Sequence, residues 1–328
     1  MTEEAPVAHE VQDQLTGYLS DAHAIEEQAL AQLRSAPGIA GQAELAKALA
    51  EHCVETEQHE RLVRERLAEL GDSPSRLKDM IMALGGKGFV LFARAQPDTP
   101  GKLAAHAYSY EHLELAAYQL LARAAAAAGD SETEEMAQQI ALEEKRMGVR
   151  LSSLFTQTVE ASLGALEPGD LQRQVVSYLT DAHALELQSV GLLERAVNMA
   201  GDRELTNRYE KHLAESRRHA ERVEARLKEL DATPSRLKDT AMWLGAVNWS
   251  TFFRAHPDTP GKLAAFAYAF EHLEIAGYEQ LAEVAERAGD GETVRMAEEI
   301  GEEERQAAKV IAELWSVAAH ASMREVRT

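Results

Sequence analysis

His52, Glu55 and His59 stand three, four and seven residues apart, spacings that keep side chains on one face of an α-helix. The same residue types return after a shift of 160 residues, at His212, Glu215 and His219. Other acids obey that shift. Glu26 becomes Glu186, Glu111 becomes Glu271, Glu114 becomes Glu274, and the pair Glu143-Glu144 becomes Glu303-Glu304. Each falls where an amphipathic helix should turn an apolar residue inward. Burying an unpaired carboxylate costs several kcal/mol, and the stripes at this level offer no Lys or Arg. The acids must therefore be protonated, paired with imidazole, or bound to a cation. Two divalent ions would supply +4 against roughly five carboxylates per half, close to balance. Carboxylate oxygen and imidazole nitrogen without thiolate suit iron or manganese, and zinc accepts the same donors.

The elements that would carry these residues read as helices. PDTPGKLAAHAYSYEHLELAAYQLL, from Pro97, returns as PDTPGKLAAFAYAFEHLEIAGYEQL, from Pro257. Thr99-Pro100 and Thr259-Pro260 open these stretches as a capping hydroxyl followed by a proline at the first helical turn. YLSDAHAIEEQ, from Tyr18, likewise becomes YLTDAHALELQ, from Tyr178, and SPSRLKD, from Ser73, becomes TPSRLKD. The chain is two tandem copies of one domain: residues 1–158, a linker over 159–169 marked by Gly164, Pro168 and Gly169, and residues 170–328. In the first copy the patterning predicts helices over about 11–35, 43–70, 100–128 and 132–155, with a short helical connection from Ser73-Pro74. Alternating strand patterns are absent. Four long helices with a long crossover between the second and third make each copy an all-α, ferritin-like four-helix bundle.

The inward stripes then assign ligands. Glu26 faces inward on the first helix, whereas Glu27 becomes Leu187 and is not shared. The second helix is read on the stripe Ala48/Leu49, His52, Glu55, His59, Leu62, and the fourth on Met136, Ile140, Glu143/Glu144, Met147, Leu151. Glu144 is preferred to Glu143 because it sits four residues from Ile140. The expected metal ligands are Glu26, Glu55, His59, Glu111, Glu114 and Glu144, with Glu186, Glu215, His219, Glu271, Glu274 and Glu304 in the second copy. His52, His212, Glu143 and Glu303 are the alternates: His52 and His212 ligate or orient the acids from outside, and Glu143 and Glu303 would take the place of Glu144 and Glu304 if the helix turned them inward instead. His112 and His272 lie about 100° round from the neighbouring acids and should face outward. Tyr18, Tyr118 and their copies read as core aromatics that could carry oxidising equivalents beside a metal. Cys53 reads as a small buried apolar residue. All three tryptophans, Trp243, Trp249 and Trp315, fall in the second copy, which should pack differently, against the first copy or another chain.

Composition bounds the partners. Apolar residues make up 45% of the 328, charged ones 27%, and the formal charge is −21, so neither nucleic acid nor an anionic membrane is expected to bind. The N-terminus lacks the pattern of a secretory leader, and no run is long and apolar enough to span a bilayer. The single cysteine excludes shared disulfides and thiolate metal sites, and a cytoplasmic protein is expected.

The strings HCVETEQHERL, EHLELAAY, ALEEK and SDAHAIEEQ resemble those of the YciE/YciF-type ferritin-like metal-binding proteins, across both copies almost end to end. His23 stands where that family commonly has tyrosine, and fusion of two domains departs from its single-domain form. The resemblance implies a dinuclear metal site per bundle, a cytoplasmic stress-associated role and dimeric packing, here with the two halves as a pseudo-dimer. Two ions of iron or manganese in each bundle, with dioxygen or hydrogen peroxide as substrate, would support ferroxidase, peroxidase or catalase-like redox work. A metal-sequestering stress protein without turnover and a metal-free helical scaffold are the alternatives.

Overall fold

The computed structural model describes residues 4–73, 99–164, 168–233 and 259–326. The chain divides into two compact units that meet between Ser162 and Leu163. In the first unit, α1 (Glu4–Leu33) and α2 (Ala43–Glu69) are followed by α3 (Thr99–Ala128), α4 (Ser131–Ser152) and a short α5 (Phe155–Leu163). The second unit repeats them as α6 (Leu171–Met199), α7 (Arg203–Glu229), α8 (Thr259–Arg287), α9 (Gly291–Glu313) and α10 (Trp315–Val326). Strands are absent among the described residues. The crossover between the second and third helix of each unit, with Trp243 and Trp249, lies outside the described residues.

Around each unit every long helix touches two others. α1 packs on α2 and α3, and α4 on α2 and α3; the second unit repeats the ring with α6, α7, α8 and α9. The helices begin and end where local chemistry demands. Asp130 caps α4 by accepting from the Thr133 N–H at 3.0 Å, and Asp290 caps α9 in the same way at 3.1 Å. Gly129 and Gly289 precede these caps with φ of 71° and 72°, a left-handed turn that a side chain would strain. Arg66 locks the corner by donating to both Asp130 oxygens at 2.8 Å and to Thr133, tying the end of α2 to the start of α4. Arg226 ties the second unit's corner by donating to Asp290 Oδ1 and to Thr293.

Several details differ from the sequence reading. The linker expected from residue 159 is helical to Leu163, because Leu154, Phe155, Val159 and Leu163 are buried and the Ser162 hydroxyl accepts from the Gly101 N–H. Leu62 is exposed, as are Val54, Leu142 and Val149. His112 is buried rather than outward: its Nδ1 donates to the Tyr108 carbonyl at 2.7 Å, and its ring packs on Gly148, where a Cβ would come within 2.9 Å. Cys53 is only half-buried. Trp315 packs edge-on against Tyr268 within its own unit, as Phe155 does against Tyr108 in the first. No helix among the described residues is long and apolar enough to cross a membrane.

Candidate metal centre

At mid-bundle the first unit converges two groups of donors. His52, Glu111, Glu114 and Glu144 form one, and Glu26, His59 and Glu144 the other; within each, ligand atoms lie within 4.8 Å of one another. All four helices contribute, α1 through Glu26, α2 through both histidines, α3 through Glu111 and Glu114, and α4 through Glu144. Glu144 belongs to both groups. Its Oε2 lies 3.4 Å from His52 Nε2 and its Oε1 2.8 Å from His59 Nδ1, so one carboxylate spans the two. The second unit repeats the arrangement with His212, Glu271, Glu274 and Glu304, and with Glu186, His219 and Glu304. There the Glu304 oxygens lie 3.6 Å from His212 Nε2 and 2.7 Å from His219 Nδ1.

The donor atoms are close but not mutually satisfied. His52 Nε2 is 2.9 Å from Glu111 Oε2, yet neither atom has a hydrogen-bond partner of acceptable geometry. The same holds for His59 Nδ1, Glu26 Oε2 and both oxygens of Glu114 and Glu144. Native interiors leave few such groups, since each costs roughly 1–3 kcal/mol, more when charged. A cluster of them aimed at shared points is what a cation site looks like without its cation. The four buried carboxylates of each unit would balance two divalent ions.

Burial and mutual charge perturb the titration of these groups. Burial, reinforced by the negative Glu144, lifts Glu26 to about 8, and burial likewise carries Glu114 well above the carboxylate range. Glu144 rises to about 7 through burial, against the pull of His59. In the second unit burial raises Glu186 to about 7 and Glu271 to about 8, whereas at Glu304 His219 and His212 outweigh burial and hold it below its ordinary value. Burial opposes the charged histidines, but the facing carboxylates win: His59 is lifted to about 9, His219 to about 10, and His52 and His212 also rise. Burial and the facing charges thus favour protons on Glu26, Glu114 and the four histidines when no cation is bound.

The structure brings together Glu26, His59, Glu111, Glu114, Glu144, His52 and their copies, and it leaves out Glu55 and Glu215. Glu55 has a side chain 55% exposed and bonds His52 Nδ1 from outside at 3.1 Å. Glu215 stands 3.5 Å from His212 Nδ1 and also faces Lys211. The expected positions of Glu55 and His52 relative to the cluster are thus exchanged. The cause is helix phase: α2 buries Ala48, His52, Thr56, His59 and Val63, a stripe rotated one position from the expected one. Glu143 and Glu303, the alternates to Glu144 and Glu304, lie outside and bond the Nε2 of His59 and His219 at 2.8 and 3.1 Å. The outer carboxylates in the first unit fix opposite tautomers, so that His52 offers Nε2 inward and His59 offers Nδ1.

Residue patterning also missed the phenols' part. Tyr118 donates to Glu26 Oε1, and Tyr278 to Glu186 Oε1 at 2.5 Å, both buried. That pairing joins positions 92 residues apart and has no local signal. A further group, His23, Glu27 and Glu60, occurs in the first unit alone among the described residues, but Glu60 Oε1 already meets His23 at 3.0 Å and Arg64 at 2.9 Å.

A family described as "Domain of unknown function (DUF892)" matches this chain twice, over residues 10–164 and again over 171–323. No solved structure matches.

Proposed function

The chain belongs to the DUF892 family, in two tandem copies, and because that family's description assigns no activity, we propose a function from the site: each unit holds two divalent ions, iron or manganese, at which dioxygen or hydrogen peroxide is reduced. The observation that carries this reading is Glu144, one fully buried carboxylate whose two oxygens face the histidines of two adjoining donor groups, repeated at Glu304. Glu26 and His59 would hold one ion, His52, Glu111 and Glu114 the other, and Glu144 both. Zinc would fit these donors too but could not supply electrons. When bound, a redox-active pair would supply electrons to an oxygen–oxygen bond.

The chain's own residues prepare that chemistry. Glu55 and Glu143 keep each imidazole in the tautomer that presents a free nitrogen to the centre. Tyr118 holds its proton against Glu26 Oε1 and leaves Oε2 for coordination. The apolar residues on the same inward stripes, among them Leu19, Ala22, Leu121 and Ile140, are almost wholly buried and exclude bulk water. The role this reading supports is defence against oxidants.

Anaerobic loading with Fe(II) or Mn(II), followed by hydrogen peroxide, which can disproportionate to water and dioxygen without another reductant, or by air with excess Fe(II) as the electron donor, tests it. Oxidant consumption well beyond one equivalent per centre, lost in Glu144→Ala/Glu304→Ala, is the expected result. Oxidation that stops at one equivalent would make the protein a sequestering one. Metal that binds without any reaction would contradict the redox reading.

A further inference from the structure

The two centres are not built alike, and the difference lies beside Glu111. In the first unit a cavity of about 20 Å³ adjoins that carboxylate, lined also by Gln32, Leu49, His106 and Tyr110. By the space one water needs, this admits a molecule of about one or two non-hydrogen atoms. Of the lining residues, His106 is partly exposed, whereas Gln32, Tyr110 and Glu111 are buried. The Gln32 Oε1 meets His106 Nε2 at 3.1 Å, but the Gln32 Nε2, in a side chain only 8% exposed, has no partner. An amide donor left unsatisfied beside an internal cavity calls for an acceptor inside it. The second unit replaces this set: Gln32 by Leu192, His106 by Phe266, Tyr110 by Phe270 and Leu49 by Tyr209. Leu192, Phe270 and Tyr209 are buried there. A surface depression of the second unit lies at the outer side of His219, where Glu303 already holds Nε2.

We infer that, among the described residues, the first unit and not the second carries a small-molecule pocket next to its metal centre, which admits hydrogen peroxide past His106 and seats it on the Gln32 amide against Glu111. The occupant is neutral, because Glu111 and the acids behind it repel anions. It must accept a hydrogen bond from Gln32, which hydrogen peroxide does well and dioxygen poorly. The first unit is then the fast-reacting half, and the second a slower or storage half. This inference rests on the proposed function for its reaction, though not for its binding.

Two measurements separate those dependences. In the metal-free full chain labelled with 15N-glutamine, titration with hydrogen peroxide should shift the Gln32 side-chain amide saturably, the resonance being assigned by its loss in Gln32→Leu. A resonance that does not respond, or responds without saturation, overturns the pocket whether or not metal binds. In the metal-loaded protein the rates of the two halves are compared by silencing each in turn. The chain carrying Glu271→Ala/Glu304→Ala should consume hydrogen peroxide at least tenfold faster than the chain carrying Glu111→Ala/Glu144→Ala. Adding Gln32→Leu/His106→Phe/Tyr110→Phe to the former should remove that advantage while bound metal stays constant. Equal rates in the two halves, or an advantage that survives the filled pocket, would overturn the inference.

Discussion

Replacing Glu26 by glutamine should stabilise the metal-free protein at pH 8 and destabilise it at pH 5. The substitution is nearly isosteric, and the new carbonyl still accepts from Tyr118, so shape and that hydrogen bond survive. What changes is charge. The carboxyl titrates near 8 in the folded protein against 4.5 for an ordinary glutamate, through burial and the neighbouring Glu144. Because the folded value is the higher one, stability is whole below pH 4.5 and falls as pH climbs toward 8. At pH 8 that loss amounts to on the order of 4 kcal/mol. Glutamine escapes it but buries an amide N–H₂ where Glu26 Oε2 now lacks a partner, at a cost of roughly 1–3 kcal/mol. It also removes the negative partner that helps keep His59 charged, so the net gain is about 2 kcal/mol. At pH 5 the ionisation cost has almost vanished and the amide cost remains. For a unit of this size the melting temperature should rise by about 5 °C at pH 8 and fall by a few degrees at pH 5. Thermal unfolding in chelator at the two pH values measures this. A Glu26→Gln protein that is destabilised equally at both would refute a buried, charge-penalised carboxyl at this position.

Further predictions follow from the same geometry. Metal binding must displace protons held by His59, near 9, and Glu26, near 8; calorimetry in buffers of different ionisation enthalpy should show at least one proton released per unit at pH 7, and affinity rising from pH 6 to 8. Glu143→Ala or Glu55→Ala leaves every inward donor in place but frees an imidazole to turn, and should weaken metal binding about 10- to 100-fold in a competitive chelator titration. Arg66→Ala strands the α4 cap Asp130 in a largely buried corner and should cost about 2–3 kcal/mol by urea unfolding, with metal content per folded chain unchanged.

The fold was legible because its signals are local and doubled. Thr99-Pro100, Gly129 and Asp130 mark helix ends by their backbone chemistry alone, and the copy at 259–290 repeats each of them. Glu26, Glu111 and Glu114 were legible for a related reason: each lies on the inward stripe of its helix among apolar residues and returns, at 186, 271 and 274, on the same stripe of the second copy. On α2 polar residues surround the histidines on every side, and one position of phase decides between Glu55 and His52. Thr56 and Val63 held the answer. They share a stripe with His52 and His59 and return as Ser216 and Val223, also buried. His112 was misplaced because its cover is Gly148, a hollow on another helix that hydropathy does not register. The bond from Tyr118 to Glu26 and the orphaned Gln32 amide arise from packing between distant segments, which no spacing along the chain encodes.

The central claim is that paired metal ions, not trapped protons, are the native occupants of the two acid clusters. Metal analysis tests it most directly, on protein purified without chelator and again after reconstitution with Mn(II) or Fe(II), beside a Glu111→Ala/Glu271→Ala variant. The account predicts four ions per wild-type chain, two for each unit, and the loss of at least half of them in the variant. Fewer than one ion per chain after reconstitution, or four that persist in the variant, would contradict it.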